Sequence, residues 1–353
     1  MKAAVFVSKG VLEIRDVPKP SPKPDEILLR VKACGVCATD VHALYGGESI
    51  SGRDPFPLIP GHEFTGVVEE VGKDVINVRV GDKVAVDPIY NCGQCYFCQT
   101  NQENHCEHLE GPGTTVPGGF AEYVAVPAYA ALKFEKLDFD EAALMEPLAT
   151  VIYGQERARI QYADNVLIIG AGAIGLLHLQ LAKASGTARV VVVDLDKAKL
   201  DRAKALGADA VFQQRIEPSS PDAAKLGIAS RQRDAILDFS PMGYDVVIEA
   251  TGVPGVVEAG VRYLKKRGRL LVFGVAPHHS EIRLNPYDIY RNDWEIIGAF
   301  ALNRTAVQSL SLLEAGIIKA KPVIGKQYKL EELGEALQAL AQGRADGKLQ
   351  ILF

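Results

Sequence analysis

Cys92, Cys95, Cys98 and Cys106 follow one another as C-x2-C-x2-C-x7-C. Four soft thiolates so close together match a tetrahedral zinc site whose coordination positions are all filled by protein, which leaves no place for substrate and makes the metal structural. The loop Asn91–His108 has too few apolar residues for a core of its own, so metal binding would fix it. An iron–sulfur cluster calls for a different spacing and often a trailing proline. A nucleic-acid zinc ribbon calls for basic residues, and Asn91–Glu110 contains three Glu and no Lys or Arg. A second set is more dispersed. Cys37-Ala-Thr39-Asp40-Val-His42, Gly61-His62-Glu63 and Glu146 offer thiolate, imidazole, carboxylate and hydroxyl, the donors of a catalytic zinc with three protein ligands and one open position. Alone, a cysteine is most often a small buried hydrophobe; the combination is what carries weight.

A third set uses backbone. Gly170-Ala-Gly172-Ala173-Ile174-Gly175 lies between the strand-like Val166–Ile169 and the helical Ala173–Ser185. In that context Gly170 allows the tight turn, Gly172 the approach of a pyrophosphate, and Gly175 close packing of helix on strand. The helix N-terminus supplies free N–H groups for the phosphates. Asp194 stands roughly 20 residues beyond, where a carboxylate bonds the adenosine ribose and repels a 2′-phosphate, so NAD is expected over NADP. No Arg directly follows it.

The elements that position these groups change character near residue 140. Before it, Ala3–Val7, Val11–Ile14, Ile27–Val31, Gly66–Val71, Lys83–Val86 and Phe120–Val126 read as short strands between turns, and Pro18–Pro24 as loop or extended edge. Such a run suggests a barrel-like β domain. Afterwards a helix over Phe139–Arg159, with Asp138 or Asp140 as cap, leads into alternating strands and helices, hence a parallel sheet of βαβ units. The alternation runs through Val166–Ile169, Ala173–Ser185, Arg189–Val193, Lys197–Leu206, Asp245–Glu249, Val256–Leu264 and Arg269–Phe273. Glu217–Asp222 reads as a Pro/Ser loop. Beyond Pro286 the pattern is mostly helical, with Thr305–Ala315 and Leu330–Ala341, and the strand-like Leu349–Phe353 could return to the first domain.

The chain of 353 residues suits two domains. With 39 Lys and Arg against 44 Asp and Glu, its net charge of −5 argues against a general nucleic-acid or polybasic membrane binder. All six cysteines lie from Cys34 to Cys106, a confinement that suits local thiolates in a reducing compartment better than a disulfide network. Ala3–Val7 is too short for a signal-peptide core, and the uncharged Asn165–Ala182 is better explained by a buried strand plus core helix than by a membrane span. A soluble, cytoplasmic protein is expected.

The chain resembles the zinc-dependent medium-chain dehydrogenase/reductase superfamily, within it the polyol (sorbitol-type) dehydrogenases. The resemblance covers nearly the whole length, through ACGVCATDVH (33–42), GHEFTGVVEEVG (61–72), the four-cysteine loop, GGFAEYV (118–124), MEPLAT (145–150), GAGAIG (170–175), VVVD (191–194) and VFGV (272–275). It implies an α/β chain with an N-terminal GroES-like β-barrel catalytic domain, residues 1–150 and 290–353, and a Rossmann doubly wound coenzyme domain, residues 151–289. Cys37 and His62 fall on catalytic zinc ligands. Glu63, Glu146 and a water remain alternatives for the third position. Glu146 stands where ethanol-type enzymes have cysteine, and a harder site suits a hydroxyl-rich substrate. Thr39 matches the hydroxyl at the reacting oxygen, Asp40 the carboxylate that bonds the histidine ligand, and His42 the distal proton relay. Gly170, Gly172, Ala173, Ile174, Gly175, Asp194, Lys199, Thr150 and Val275 fall on cofactor-binding positions. Cys34 matches no ligand and reads as a buried thiol, while Tyr45, Phe56 and Phe120 are pocket candidates by loop position.

The implied reaction is hydride transfer from a secondary alcohol of a polyol to NAD, giving a ketose, with one catalytic and one structural zinc per subunit. Its proton would leave through Thr39, the cofactor ribose and His42. A threonine-type or aldose 1-dehydrogenase of the same superfamily shares every named residue. A different class, a zinc-ribbon interaction module fused to a nucleotide-sensing domain, would show salt-dependent nucleic-acid binding and no NADH production. The resemblance suggests a homotetramer or homodimer, with neither nucleic acid nor membrane as partner.

Overall fold

Short β-branched segments build the first part of the chain. In the computed structural model, which describes residues 1–45, 56–216 and 234–353, β1 (Lys2–Ser8) and β2 (Val11–Asp16) form an antiparallel pair. β3 (Glu26–Gly35) is the spine of a larger sheet with β4 (Glu63–Val71), β5 (Lys83–Val86), β6 (Tyr123–Pro127) and β7 (Ala131–Lys133). Pairing of β3 with β4 sets Gly35 opposite Glu63, so the ends of these strands carry the loops that hold Cys37 and His62.

The second part is a six-stranded sheet made of β8 (Asn165–Ile169), β9 (Arg189–Asp194), β10 (Ala210–Gln213), β11 (Tyr244–Glu249), β12 (Leu264–Val272) and β13 (Glu295–Gly298). All its pairings are parallel, in the order β10-β9-β8-β11-β12-β13. β8, β9 and β11 are nearly continuous apolar runs because both faces are covered. The order reverses between β8 and β11, and ligands of such sheets bind in the crevice beyond the carboxyl ends of strands at that point. The uncharged Asn165–Ala182 run is β8 plus the helix Ala173–Ala184, and among the described residues no helix is long and apolar enough to cross a membrane.

β14 (Ile324–Lys329) and β15 (Lys348–Leu352) go back to the first sheet, with β15 parallel to β14 and antiparallel to β3. Leu349 and Ile351 join a core that includes Phe6, Leu29, Phe64 and Phe120. The second core gathers Leu167, Val191, Val247, Tyr263 and Leu270. By compactness the chain divides into Met1–Thr150 with Ala301–Phe353, and Val151–Phe300.

Several expectations need correction. A return at residue 290 is too early, because β13 lies beyond it and pairs with β12. The single helix expected over Phe139–Arg159 is two, Phe139–Ala142 and Met145–Arg157. Pro147 lacks an N–H and is tolerated in the first turn of a helix, so it starts the second piece rather than continuing the first. Glu146 therefore sits at a helix N-terminus. The helix expected to reach Leu264 ends at Gly260, and Leu264 opens β12. β7, β10, β13 and β14 escaped the sequence reading because their segments are short and acquire strand character only by pairing. The Glu217–Asp222 loop lies outside the described residues.

Candidate active site

The cysteine loop is assembled locally. Tyr96–Gln99 forms one helical turn carrying Cys98, and the four thiols lie within 4.8 Å of one another. Cys95 Sγ is 3.5 Å from Cys98 Sγ and 3.9 Å from Cys106 Sγ, and Cys92 Sγ is 4.0 Å from Cys98 Sγ. Zinc–sulfur bonds of about 2.3 Å in a tetrahedron separate the sulfurs by about 3.8 Å, so these residues fit the ion. The amides of Cys92 and His108 donate to Cys106 Sγ at 3.3 Å, and that of Cys95 donates to Cys92 Sγ at 3.4 Å. Such amide donors, at Cys98 and Glu107, hold the Cys95 thiol down at about 6, whereas burial pushes Cys98 up to about 12. A dication reverses the second effect, since a coordinating thiol is deprotonated outright. The loop is docked by the returning chain: Asn303 accepts from the Glu103 amide at 3.0 Å and donates to the Asn101 carbonyl at 2.8 Å, and Arg304 pairs with Glu103.

The second group is assembled across the sheet. Cys37 follows β3, His62 immediately precedes β4 and Glu63 opens it; their ligand atoms lie within 4.8 Å of one another. His62 and Glu63 are buried, and the buried atoms His62 Nδ1 and Glu63 Oε2 have no hydrogen-bond partner. Unpaired buried polar atoms are costly, and a thiolate–imidazole–carboxylate set with two such atoms fits zinc. Thr39 Oγ1 is 3.6 Å from Cys37 Sγ, on the helix Ala38–Tyr45 that also carries His42. Asp40 does not make the expected bond to His62, for Oδ1 and Nδ1 are 3.7 Å apart. Its oxygens accept instead from the amides of Cys37 at 2.9 Å and Gly61 at 3.3 Å, clamping the two ligand loops together.

Glu146 is buried but stands outside the 4.8 Å group. Burial, then the charge of Glu63, pushes its carboxyl up to about 7. Burial acts to lower His62, but the neighbouring Cys37 and then Asp40 outweigh it and hold the imidazole well above its usual range. Sequence reasoning missed Lys348. It opens β15 and its ammonium is bonded to Glu63 Oε1, both residues being buried. The only local signal is a lysine heading the strand-like segment Leu349–Phe353. Cys34 is fully buried, with its thiol pushed well up by that burial. Of the pocket candidates, Phe120 is a core residue and Phe56 packs on that core, because large aromatic rings fill the space between strands. Tyr45 is 49% exposed.

The glycine turn belongs to the other unit. Gly170 has φ +108°, and a Cβ on Gly175 would overlap the Gly170 carbonyl oxygen, so the helix Ala173–Ala184 could not sit on the turn. Around Gly172 a Cβ would meet nothing within 4 Å, which leaves open space over the turn. Asp194 ends β9; its Oδ2 accepts from the Ala171 amide at 2.7 Å and its Oδ1 from the Asp196 amide at 2.9 Å. The carboxylate is thereby fixed against the glycine turn. Ala173 and Ile174 form the first turn of that helix, Lys199 is half-buried in the helix Lys197–Ala205, and Val275 is exposed just beyond β12. Thr150 lies in the other unit, its hydroxyl donating to the Pro147 carbonyl at 2.8 Å.

Residues 23–136 match the alcohol dehydrogenase GroES-like domain, and residues 173–315 match zinc-binding dehydrogenase. The cysteine loop lies inside the first match, which disfavours a separate zinc-ribbon module. D-arabinitol dehydrogenase 1 of Uromyces fabae is 37% identical over 317 residues, 90% of this chain and 87% of that protein. D-altritol 5-dehydrogenase of Agrobacterium fabrum is 36% identical over 341 residues, 94% of each chain. A zinc-binding dehydrogenase fold from Sinorhizobium meliloti 1021, crystallised with NADP, superposes with a TM-score of 0.87 at 31% identity, covering 100% of this chain and 99% of that one. With a GroES-like unit that carries two residue groups able to hold a metal ion, a parallel sheet with a glycine turn, and these relatives over almost its full length, the chain belongs to the zinc-binding alcohol and polyol dehydrogenase family.

Proposed function

We propose that the protein oxidises a secondary alcohol of a polyhydroxy substrate to the ketose with NAD, using a catalytic zinc held by Cys37 and His62 with Glu63 in reach. The observation that carries this reading is the buried Cys37–His62–Glu63 group with its two unpartnered polar atoms. Zinc held there would supply Lewis acidity toward the substrate hydroxyl, and a bound nicotinamide would supply the hydride acceptor. Asp40 fixes the separation of the two ligand loops through the Cys37 and Gly61 amides. Thr39 places a hydroxyl beside Cys37 that takes the substrate proton as it gives up its own toward His42. His42, one helical turn on and on the same face, passes it outward. Glu146, with its carboxyl near 7, can hold or release a proton around neutrality.

Asp194 is the coenzyme selector. Already fixed by two amides, it presents fixed negative charge where a 2′-phosphate would lie, and Lys199 serves the ribose. Gly170, Gly172 and Gly175 with Ala173 and Ile174 cradle the pyrophosphate, and Thr150 and Val275 complete the cofactor contacts. The polyol assignment draws support from relatives named for arabinitol and altritol and from the carboxylate at position 146 where a cysteine would make the site softer. A soluble cytoplasmic homotetramer or homodimer is part of the same reading. The test is reduced-coenzyme absorbance with sorbitol, xylitol, arabinitol, galactitol, threonine and glucose, each offered NAD and NADP. The expected result is turnover with one or more polyols and NAD. Turnover confined to threonine or glucose, or a preference for NADP, would overturn the corresponding part.

A further inference from the structure

We infer that Glu249 is a positioning residue of the coenzyme crevice: it ties the ends of β11 and β12 together beside the glycine turn, and its charge biases the crevice toward the oxidised, cationic form of a nicotinamide coenzyme. The inference rests on the reading of that turn as a coenzyme site given above. Glu249 ends β11, one of the two strands between which the order reverses, and is fully buried. Its Oε1 accepts from the amides of Thr251 at 2.6 Å and Gly252 at 3.1 Å and from the Thr251 hydroxyl. Oε2 has only a longer contact, 3.3 Å, with the Gly252 amide. The Glu249 carbonyl accepts from the amides of Phe273 at 3.0 Å and Gly274 at 2.9 Å. The turn so held has no slack. A Cβ on Gly274 would lie 2.0 Å from the Gly252 nitrogen and 2.9 Å from Glu249 Oε2, and one on Gly252 would lie 2.6 Å from the Val275 carbonyl oxygen. A Cβ on Gly170 would lie 3.0 Å from Thr251 Cγ2. Thr251 thus abuts the glycine turn, Gly252 abuts Val275, and one buried carboxylate fixes both.

Among the described residues no cationic side chain acts on Glu249; burial pushes its carboxyl up, and the Thr251 and Gly252 donors oppose that. Amides can only donate, so the ionised carboxylate is the form they match. Oxidised nicotinamide carries a positive charge on its ring, and the reduced ring is neutral. A fixed carboxylate that no cation answers, in surroundings of low dielectric, favours the charged ring over the neutral one. A residue that only packs the turn would act on both forms alike, because a ratio moves only through a differential interaction.

The test compares the parent holoenzyme with E249Q and E249D, measuring the dissociation constant of NADH by its fluorescence and that of NAD by competition. A parent that prefers the phosphorylated coenzymes is measured with NADP and NADPH. Glutamine keeps the reach and an oxygen for the three Oε1 donors, and its amide group falls on the Oε2 side, so it removes the charge and little else. E249Q is expected to weaken the oxidised form about tenfold more than the reduced one, the effect of two unit charges roughly 10 Å apart at an effective dielectric of about 20. E249D keeps the charge but not the reach. It is expected to weaken both forms by about 5–10-fold, the loss of one or two net hydrogen bonds to the turn, with their ratio within about twofold of the parent's. An E249Q whose ratio stays within about twofold of the parent's overturns the inference. So does an E249D that binds both forms as the parent does, or that shifts their ratio tenfold toward the reduced form. If E249Q does not fold, E249D decides the matter by the same rule. A parent that binds no nicotinamide coenzyme overturns the coenzyme reading itself. A parent that binds both forms, with an E249Q of unchanged ratio, overturns this inference alone.

Discussion

The two candidate metal-ligand groups in the GroES-like unit are built on opposite plans. The cysteine loop takes all four ligands from one short segment, and the amides that stabilise its thiolates come from the same segment. The Cys37 group takes ligands from the ends of two paired strands, its clamp from the helix Ala38–Tyr45, and its counter-charge from the last strand of the chain. A site that only has to close can be written in one stretch of sequence, because satisfying every coordination position is itself the folding energy. The second group instead depends on the fold to bring distant parts of the chain together, and there the buried Glu63 carboxylate is answered by the buried Lys348 ammonium.

The most severe way to break this comparison is Cys37→Ala. Turnover should fall at least about 10³-fold, or about 4 kcal/mol in transition-state stabilisation. Metal content should drop from two zinc ions per chain to one, while NADH binding, followed by its fluorescence, and the melting transition stay close to the parent's. Full activity in a variant carrying a single zinc would dissolve the distinction between the two groups.

Cys98→Ser should do the reverse. Cys98 sits at the buried side of the loop, and losing the closed site should cost a few kcal/mol of stability, which at about 2–4 °C per kcal/mol lowers the melting temperature by roughly 10 °C. Catalytic zinc and the initial rate per folded molecule should survive, and proteolysis within residues 91–108 should accelerate. A variant that melts like the parent but has lost turnover would assign the chemistry to the wrong cluster.

The same contrast explains what could be read from the sequence. The cysteine loop, the glycine turn and the alternating strands are local patterns, and they are legible because the physics that produces them acts over a few residues. Cys37 and His62 lie in separate segments, so residue types alone made them a candidate set, and the resemblance and then the fold joined them. The return of Leu349–Phe353 to the first domain was legible, but not that β15 pairs with β3 so as to carry the Lys348 ammonium to Glu63. The Asp40–His62 bond was expected from motif alone and fails because Asp40 spends both oxygens on backbone amides. β13 was missed because Glu295–Gly298 becomes a strand only through its partner β12. That omission also displaced the expected boundary between the two units.

Two buried histidines bring the comparison down to a single side chain. Burial disfavours the charged form of both. Around His62, Cys37 and Asp40 overcome that effect and favour the protonated ring. His178 lies in the other unit, in the helix behind the glycine turn, against the edge of the Phe273 ring at 4.5 Å between centroids, with Gln155 Nε2 3.3 Å from its Nδ1. With burial unopposed, its imidazole is lowered to about 3. In the unfolded chain the same ring titrates near 6.5. As pH falls below about 6.5 the unfolded state takes up a proton that the folded state refuses, so stability is lost between about 6.5 and 3 and is fully present above that window. At pH 5 the loss from this residue is about 2 kcal/mol. His178→Leu should remove it: leucine needs no proton, and Gln155 keeps its 2.8 Å bond to the carbonyl of residue 178. Denaturant unfolding at pH 7 and pH 5 should show a gap between the two pH values that is narrower in the variant by about 2 kcal/mol. An unchanged gap would mean that the ring is hydrated or paired in the folded state, and the contrast with His62 would then lie in access to water rather than in neighbouring charge.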